Sequence, residues 1–383
     1  MVNVSRSNKY GITIDLSKSL GSYLYDKNSD KPILDFMGMF ASLPLGYNHP
    51  IFKSNQFKDE VLNIAHTKVT NCFIGSEESQ TFDECFTSFA PSIFKHFYYC
   101  CTGSLAVESA LKAALERSSG KSPKILTFEN SFHGINGWAS FVTSRDYPVG
   151  PRLEGYPRNF TLECPEDIDS FKSLVRSNNV AAVLIEPIRA TQGDIHFSKG
   201  FLKTICDICD NQDILVIFDE VQTGMGATGT YWYYQQLGVQ PDIVIFGKKA
   251  QLSGFMATSK VSSIFTQKEK KLEATWDATL IDMIRCKHII KAYRDLNILE
   301  NVQSRSMQLM SLISNSKVKN LRGSGLIIGF DLESEKDRNN FRDECYNKGL
   351  LVNGGGSRSI RLRPNLAVTS DEIIEAAAII NNT

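Results

Sequence analysis

The chain has 383 residues, 42% of them hydrophobic and 22% charged, enough for about two to three folded units and unlike a disordered or fibrous protein. Lys plus Arg and Asp plus Glu each total 42, so the formal charge is zero and no net field draws nucleic acid or an anionic membrane. Apolar runs stay far below the roughly 20 residues that span a bilayer. Nine scattered cysteines and an N-terminus, MVNVSRSNKYGITIDL, without an apolar secretory stretch predict a cytoplasmic protein with reduced thiols.

In chain order, GSYLYD and KPILDF read as strands of an N-terminal segment, residues 1–45, expected to pack with the C-terminal part. Residues 46–276 alternate β-rich apolar runs with helical stretches. The predicted strands are FYYCC (97–101), KILTF (124–128), VAAVLIE (180–186), DILVIFD (213–219), IVIF (243–246) and FMAT (255–258). Helices are predicted at 104–117, 168–177 and 199–211, where apolar residues recur three and four apart. That alternation gives βαβ units and a large α/β domain with a mainly parallel sheet. Residues 277–383 read as a smaller α+β domain: a long helix to about 314, then GLIIGFDL, a helix at 335–348, GLLVN, SIRLR and a closing helix from Ser370. The six histidines lack zinc-site spacing, and Cys206 and Cys209 sit in an amphipathic helical stretch that favours buried thiols over a metal.

Four segments carry candidate chemistry. ILVIFDEVQTG (214–224) delivers Asp219 at the carboxyl end of an apolar strand, where open α/β sheets bind ligands. A carboxylate there can pair with a protonated pyridine nitrogen and so keep a pyridoxal ring electron-withdrawing; a structural or metal-binding Asp fits the same position equally. PDIVIFGKK (241–249) presents Lys248 at another buried strand end. A buried amine is costly unless used, and a Schiff base to a cofactor aldehyde removes the cost. Lys249 reads as the solvated neighbour, the choice resting on register. Thr102, Gly103 and Ser104 open a helix after FYYCC, as a phosphate cup or as a plain cap. NSFHGINGW (130–138) offers Phe132 and His133 for ring stacking or for core packing.

In this order the segments resemble the class III (omega) aminotransferases, fold-type I transferases dependent on pyridoxal 5'-phosphate (PLP), over most of the chain. Within that class the likeness is to the L-lysine 6-aminotransferase group, on GSLAVESALK (103–112), on 219–249 and on ATW (274–276). The resemblance implies Lys248 as the Schiff-base lysine, Asp219 as partner of the ring nitrogen, Gln222 at the ring hydroxyl, and Glu186 from the E-P strand. It implies that Thr275 reaches the phosphate of a neighbouring subunit, hence a homodimer with shared active sites. Arg361 is implied as a carboxylate ligand, and Asn71 joins it among the substrate-binding candidates. The expected reaction is ping-pong transfer of an amino group, such as the terminal amine of L-lysine or a related amine, to a keto acid. Another PLP reaction on the same fold, an amino-shift isomerisation, a decarboxylation or carbon–carbon bond chemistry, stands as the alternative. The chain departs from the family pattern at Ile135, where an Arg is usual, at Thr191, where a gating Glu is usual, and at Asp277-Ala278-Thr279 in place of Gly-Gly-Asn.

Overall fold

The computed structural model describes residues 10–118, 122–144, 159–266 and 271–383; the first nine residues of the N-terminal stretch considered above lie outside that set. The described chain opens with an antiparallel hairpin of β1 (Tyr23–Asp26) and β2 (Lys31–Asp35). The chain then supplies β3 (His96–Cys100), β4 (Lys124–Phe128), β5 (Thr161–Cys164) and β6 (Val180–Ile185). After a two-residue ladder of β7 (Ile188–Arg189) and β8 (Ile195–His196) come β9 (Leu215–Asp219), β10 (Ile243–Phe246) and β11 (Ser253–Ala257). Seven of these form one sheet in the order β3-β11-β10-β9-β6-β4-β5. It is parallel from β10 through β5, while β11 runs against both β10 and β3.

Every residue of β6, β9 and β10 is buried, as expected for a parallel sheet covered on both faces. Alternate side chains go to opposite layers. Val183, Val216, Phe218, Val244 and Phe246 pack with Phe171, Leu202 and Ile205 of the Ile168–Ser177 and Lys199–Asn211 helices. Leu184, Leu215, Ile217, Ile243 and Ile245 pack with Ala106, Val107, Ala110 and Leu111 of the Gly103–Arg117 helix. The small alanines let that helix lie close to the sheet. Thr102 fixes its start, the side chain accepting from Leu105 N at 3.4 Å.

The C-terminal part differs from the sequence expectation at its first helix. Instead of one helix over 277–314 there are two, Leu280–Asp295 and Ile298–Leu312, broken where Asn297 adopts φ +46°. Asparagine tolerates that left-handed conformation better than most residues, and apolar periodicity on both sides masked the break. Next come β12 (Lys319–Ser324), β13 (Ile327–Asp331), β14 (Leu350–Leu351), β15 (Asn353–Gly355) and β16 (Ser359–Leu362), then the Ser370–Asn381 helix. The polar strands β12, KNLRGS, and β5, TLEC, carry no apolar run and were not predicted. β14 pairs parallel with β2, Leu350 opposite Leu34, which ties the first hairpin to the C-terminal strands. Among the described residues no helix is long and apolar enough to cross a membrane.

Candidate active site

Five strands of the large sheet deliver residues to one cavity at their carboxyl ends. Thr102, Gly103 and Ser104 follow β3; Phe132 to Ile135 follow β4; Glu186 follows β6; Asp219 ends β9, with Val221 and Gln222 beyond it; Lys248 stands two residues after β10. Together they line a cavity of about 230 Å³. The parallel register explains the convergence, because Ile245 pairs with Asp219 and places Lys248 on the adjoining strand end.

Asp219 is buried and held from two sides. His133 Nδ1 lies 2.8 Å from its Oδ2, and Val221 N donates to its Oδ1 at 3.2 Å. With the proton on Nδ1, His133 donates to Asp219 and can accept at Nε2 from the Thr127 hydroxyl, 3.2 Å away. His133 therefore orients the carboxylate, and both it and Phe132 line the cavity. The loop is fastened by Thr143 Oγ1, which accepts from His133 N at 3.0 Å and donates to Gly134 O at 2.8 Å. Ile135 N donates to Ser104 Oγ at 3.2 Å, joining this loop to the start of the Gly103–Arg117 helix. Glu186 Oε2 accepts from Phe132 N at 2.9 Å. Burial, and after it the Asp219 charge, push the Glu186 carboxyl up to about 8.

The two adjacent lysines both turn inward. Lys248 has φ +48°, a left-handed backbone that is costly for a residue with a side chain. Its Nζ donates to Phe40 O at 3.0 Å, and burial followed by the Arg361 charge lowers its amine to about 8. Lys249 corrects the sequence reading. It is not solvated but 3% exposed, with Nζ donating to Ala41 O at 2.7 Å. Burial, then the Arg363 and Lys248 charges, bring its amine down to about 7. The acceptor segment comes from the N-terminal part, so strand patterning at 243–249 held no signal for it. Three residues there, Met39, Phe40 and Ala41, have positive φ, a conformation that costs L-residues about 1–2 kcal/mol each.

A second cavity of about 530 Å³ adjoins the first, sharing Phe132, Gln222 and Lys248. Arg361 lines it, with Nε donating to Gly354 O and Nη1 to Ala190 O, each at 3.1 Å. Met37, Phe40, Thr191, Arg338, Arg342 and Arg363 are also on its wall. Sequence reasoning named none of these six as binding residues, although Thr191 was singled out as a departure. Ten candidates are thus gathered around Lys248: Thr102, Gly103, Ser104, Phe132, His133, Glu186, Asp219, Gln222, Arg361 and Lys248 itself. Asn71 and Thr275 are not. Asn71 donates through Nδ2 to Ala278 O on the wall of a separate cleft, and Thr275 is exposed on the adjoining segment.

Comparison with known proteins fits this geometry. The model of the class-III aminotransferase family matches residues 4–383. The chain belongs to that family. It is a PLP-dependent enzyme of fold type I that transfers an amino group between an amine donor and a keto-acid acceptor. It is 31% identical to the L-lysine-epsilon aminotransferase of Mycobacterium tuberculosis over 410 residues, covering 97% of this chain and 91% of that protein. It is 30% identical to the acetylornithine aminotransferase of Bacillus cereus over 382 residues, covering 96% and 94%. A solved lysine aminotransferase from M. tuberculosis superposes with a TM-score of 0.87 at 29% identity, over 98% of this chain and 95% of that one. These relatives favour transamination over the alternative PLP reactions. The donor set suits the cofactor: a lysine and a carboxylate on adjoining strand ends, a cavity-facing aromatic, and a helix start at Gly103, where an added Cβ would reach Val221 at 3.4 Å.

Proposed function

We propose that this aminotransferase carries PLP on Lys248 and moves the terminal amine of an amino acid, L-lysine or a related amine, to a keto acid in two half-reactions. The convergence of Lys248, Asp219 and the Gly103 helix start on one cavity carries the reading. When bound, the cofactor would supply an aldehyde to which an amine can attach and a ring that withdraws electrons from the reacting carbon. Lys248, with its amine lowered to about 8, is partly uncharged near neutral pH. It therefore attaches the cofactor and carries on Nζ the proton taken from the substrate carbon. Asp219, oriented by His133, would hold the proton of the ring nitrogen. Thr102, Gly103 and Ser104 would hold the phosphate with the amides and hydroxyls of a helix N-terminus. Phe132 would stack on the ring and Gln222 would meet its hydroxyl, while Glu186 fixes the Phe132 loop through its backbone N–H. Arg361 takes a substrate carboxylate.

The position of Thr275 and Asn71 supports a homodimer in which each subunit completes the other's site. Phe73 and Trp276, 83% and 56% exposed, flank them and suit burial against a second copy. That none of the nine cysteines is in a disulfide among the described residues supports a reducing, cytoplasmic setting.

The test is spectroscopic. The purified protein is expected to show a visible cofactor band that fades on adding L-lysine and returns with 2-oxoglutarate, and that is missing from Lys248→Ala. A band unchanged in Lys248→Ala refutes the assignment of the lysine.

A further inference from the structure

The N-terminal segment crosses the wall of the second cavity as a left-handed turn. Gly38, Met39, Phe40 and Ala41 have φ of +57°, +50°, +57° and +70°. Three of these residues disfavour such a backbone, so contacts from elsewhere must hold it. At the entry, Asp35 Oδ1 accepts from Met37 N at 2.9 Å and from Gly38 N at 2.8 Å. Gly38 is pressed so close to the next layer that an added Cβ would lie 2.2 Å from Arg363 O. At the exit, Lys249 Nζ donates to Ala41 O at 2.7 Å and Gln251 Nε2 to Ser42 O at 2.6 Å.

A buried lysine is an expensive way to bind one carbonyl, and among the described residues no carboxylate forms an ion pair with it. What the turn presents is Phe40. Its side chain is 62% exposed and lines the second cavity with Met37, Gln222, Lys248 and Arg361.

We propose that Lys249 is a positioning residue: it moors the 38–42 turn through the Ala41 carbonyl, so that Phe40 and Met37 wall the cavity opposite Arg361 and set how the substrate chain is held. This rests on the proposed reading of that cavity as the substrate site. Lys249 is one residue from the lysine assigned to the cofactor, yet it acts on the substrate side.

The experiment uses the holoenzyme with Lys249→Met, Phe40→Ala and the double variant. Met keeps the length of the buried chain without its donor; Phe40→Ala removes an exposed wall and leaves the anchor. Each single change is expected to raise KM for the amino-acid substrate about tenfold, with kcat within about threefold of wild type. The double variant is expected to be no worse than the worse single one, because both act through the same turn. The visible band keeps its position and intensity in all three, and chymotrypsin cuts after Phe40 faster in Lys249→Met than in wild type. An unchanged KM in Lys249→Met, additive effects in the double variant, or unchanged cleavage overturns the proposal. Loss of the band in Lys249→Met also overturns it, by placing the lysine in cofactor binding. Failure of the underlying cofactor reading shows separately, as a wild-type protein without any band, and would sink both.

Discussion

Replacing Lys249 by Met should make the protein globally more stable at neutral pH, and the size of the gain follows from the ionisation of a buried amine. The native amine sits at about 7, against 10.5 for an ordinary lysine. The folded value is depressed, so between these limits the unfolded chain binds more protons than the folded one. Wild-type stability therefore rises with pH across that window. At pH 7 the cost of burying Lys249 is on the order of 4 kcal/mol, from 1.36 kcal/mol per pKa unit less the fraction ionised; at about pH 9.5 it falls to roughly 1 kcal/mol. Losing the bond to the Ala41 carbonyl costs about 0.5–1.5 kcal/mol at either pH. Lys249→Met is thus expected to gain on the order of 3 kcal/mol at pH 7 and almost nothing at about pH 9.5. Urea unfolding of the holoenzyme at the two pH values measures the difference. A variant less stable than wild type at pH 7, or a difference independent of pH, refutes the account of Lys249 as a buried, unpaired amine. The expected pairing of a globally stabler protein with a locally looser turn at 38–42 separates a residue kept for function from one kept for stability.

Gly134 has φ +133°, and a Cβ there would lie 2.4 Å from Ser104 Oγ, so Gly134→Ala is expected to weaken cofactor retention about 10- to 100-fold; unchanged retention on dialysis would show that the loop need not touch the helix start. The Glu186 carboxyl is raised from 4.5 to about 8, so the folded protein binds more protons there than the unfolded chain and loses stability as pH rises between those values. Glu186→Gln should remove that part of the slope in melts recorded from pH 5 to pH 8, and an unaltered slope would mean the carboxyl is ionised throughout. Restoring the usual residues with Ile135→Arg and Thr191→Glu together is expected to raise kcat/KM for L-lysine about tenfold, the worth of one charge-assisted contact. No change in a lysine-dependent assay would locate the substrate wall elsewhere.

The sheet was legible because its interior strands are apolar on both faces and short, and β4 and β10 begin and end where KILTF and IVIF do. The site was legible for a related reason: a parallel sheet sends every carboxyl end to one edge, so residues after five separate strands share a cavity without long-range information. What the sequence hid came from the opposite direction. The Phe40 and Ala41 carbonyls that receive Lys248 and Lys249 belong to a segment 208 residues away, and its left-handed turn is built from Met, Phe and Ala rather than from a glycine run. The same distance effect turned Lys249 from an expected surface residue into a buried one. His133 was partly legible, since Phe-His-Gly marked the loop but not that the imidazole hydrogen-bonds Asp219.

The two adjoining cavities differ in charge, and that difference orders the proposed chemistry. The inner one holds Asp219 and Glu186 beside Lys248. The outer one is walled by Arg338, Arg342, Arg361 and Arg363, with Glu335 the one lining carboxylate among the described residues. Arg363 lies 3.0 Å from Asp194, Arg338 2.9 Å from Glu335 and Arg342 2.7 Å from Asp343. Arg361 donates to two backbone carbonyls, which fix the orientation of its guanidinium in the wall. Amino-acid donors and keto-acid acceptors both carry a carboxylate, so on the proposed reading Arg361 would serve both half-reactions. On the same proposal, discrimination between substrates falls to the other residues lining this cavity, Thr191, Met37 and Phe40 among them. The proposal thus places the choice of substrate on residues from the segment after the first hairpin and from the turn after β7, not on the strand ends proposed to hold the cofactor.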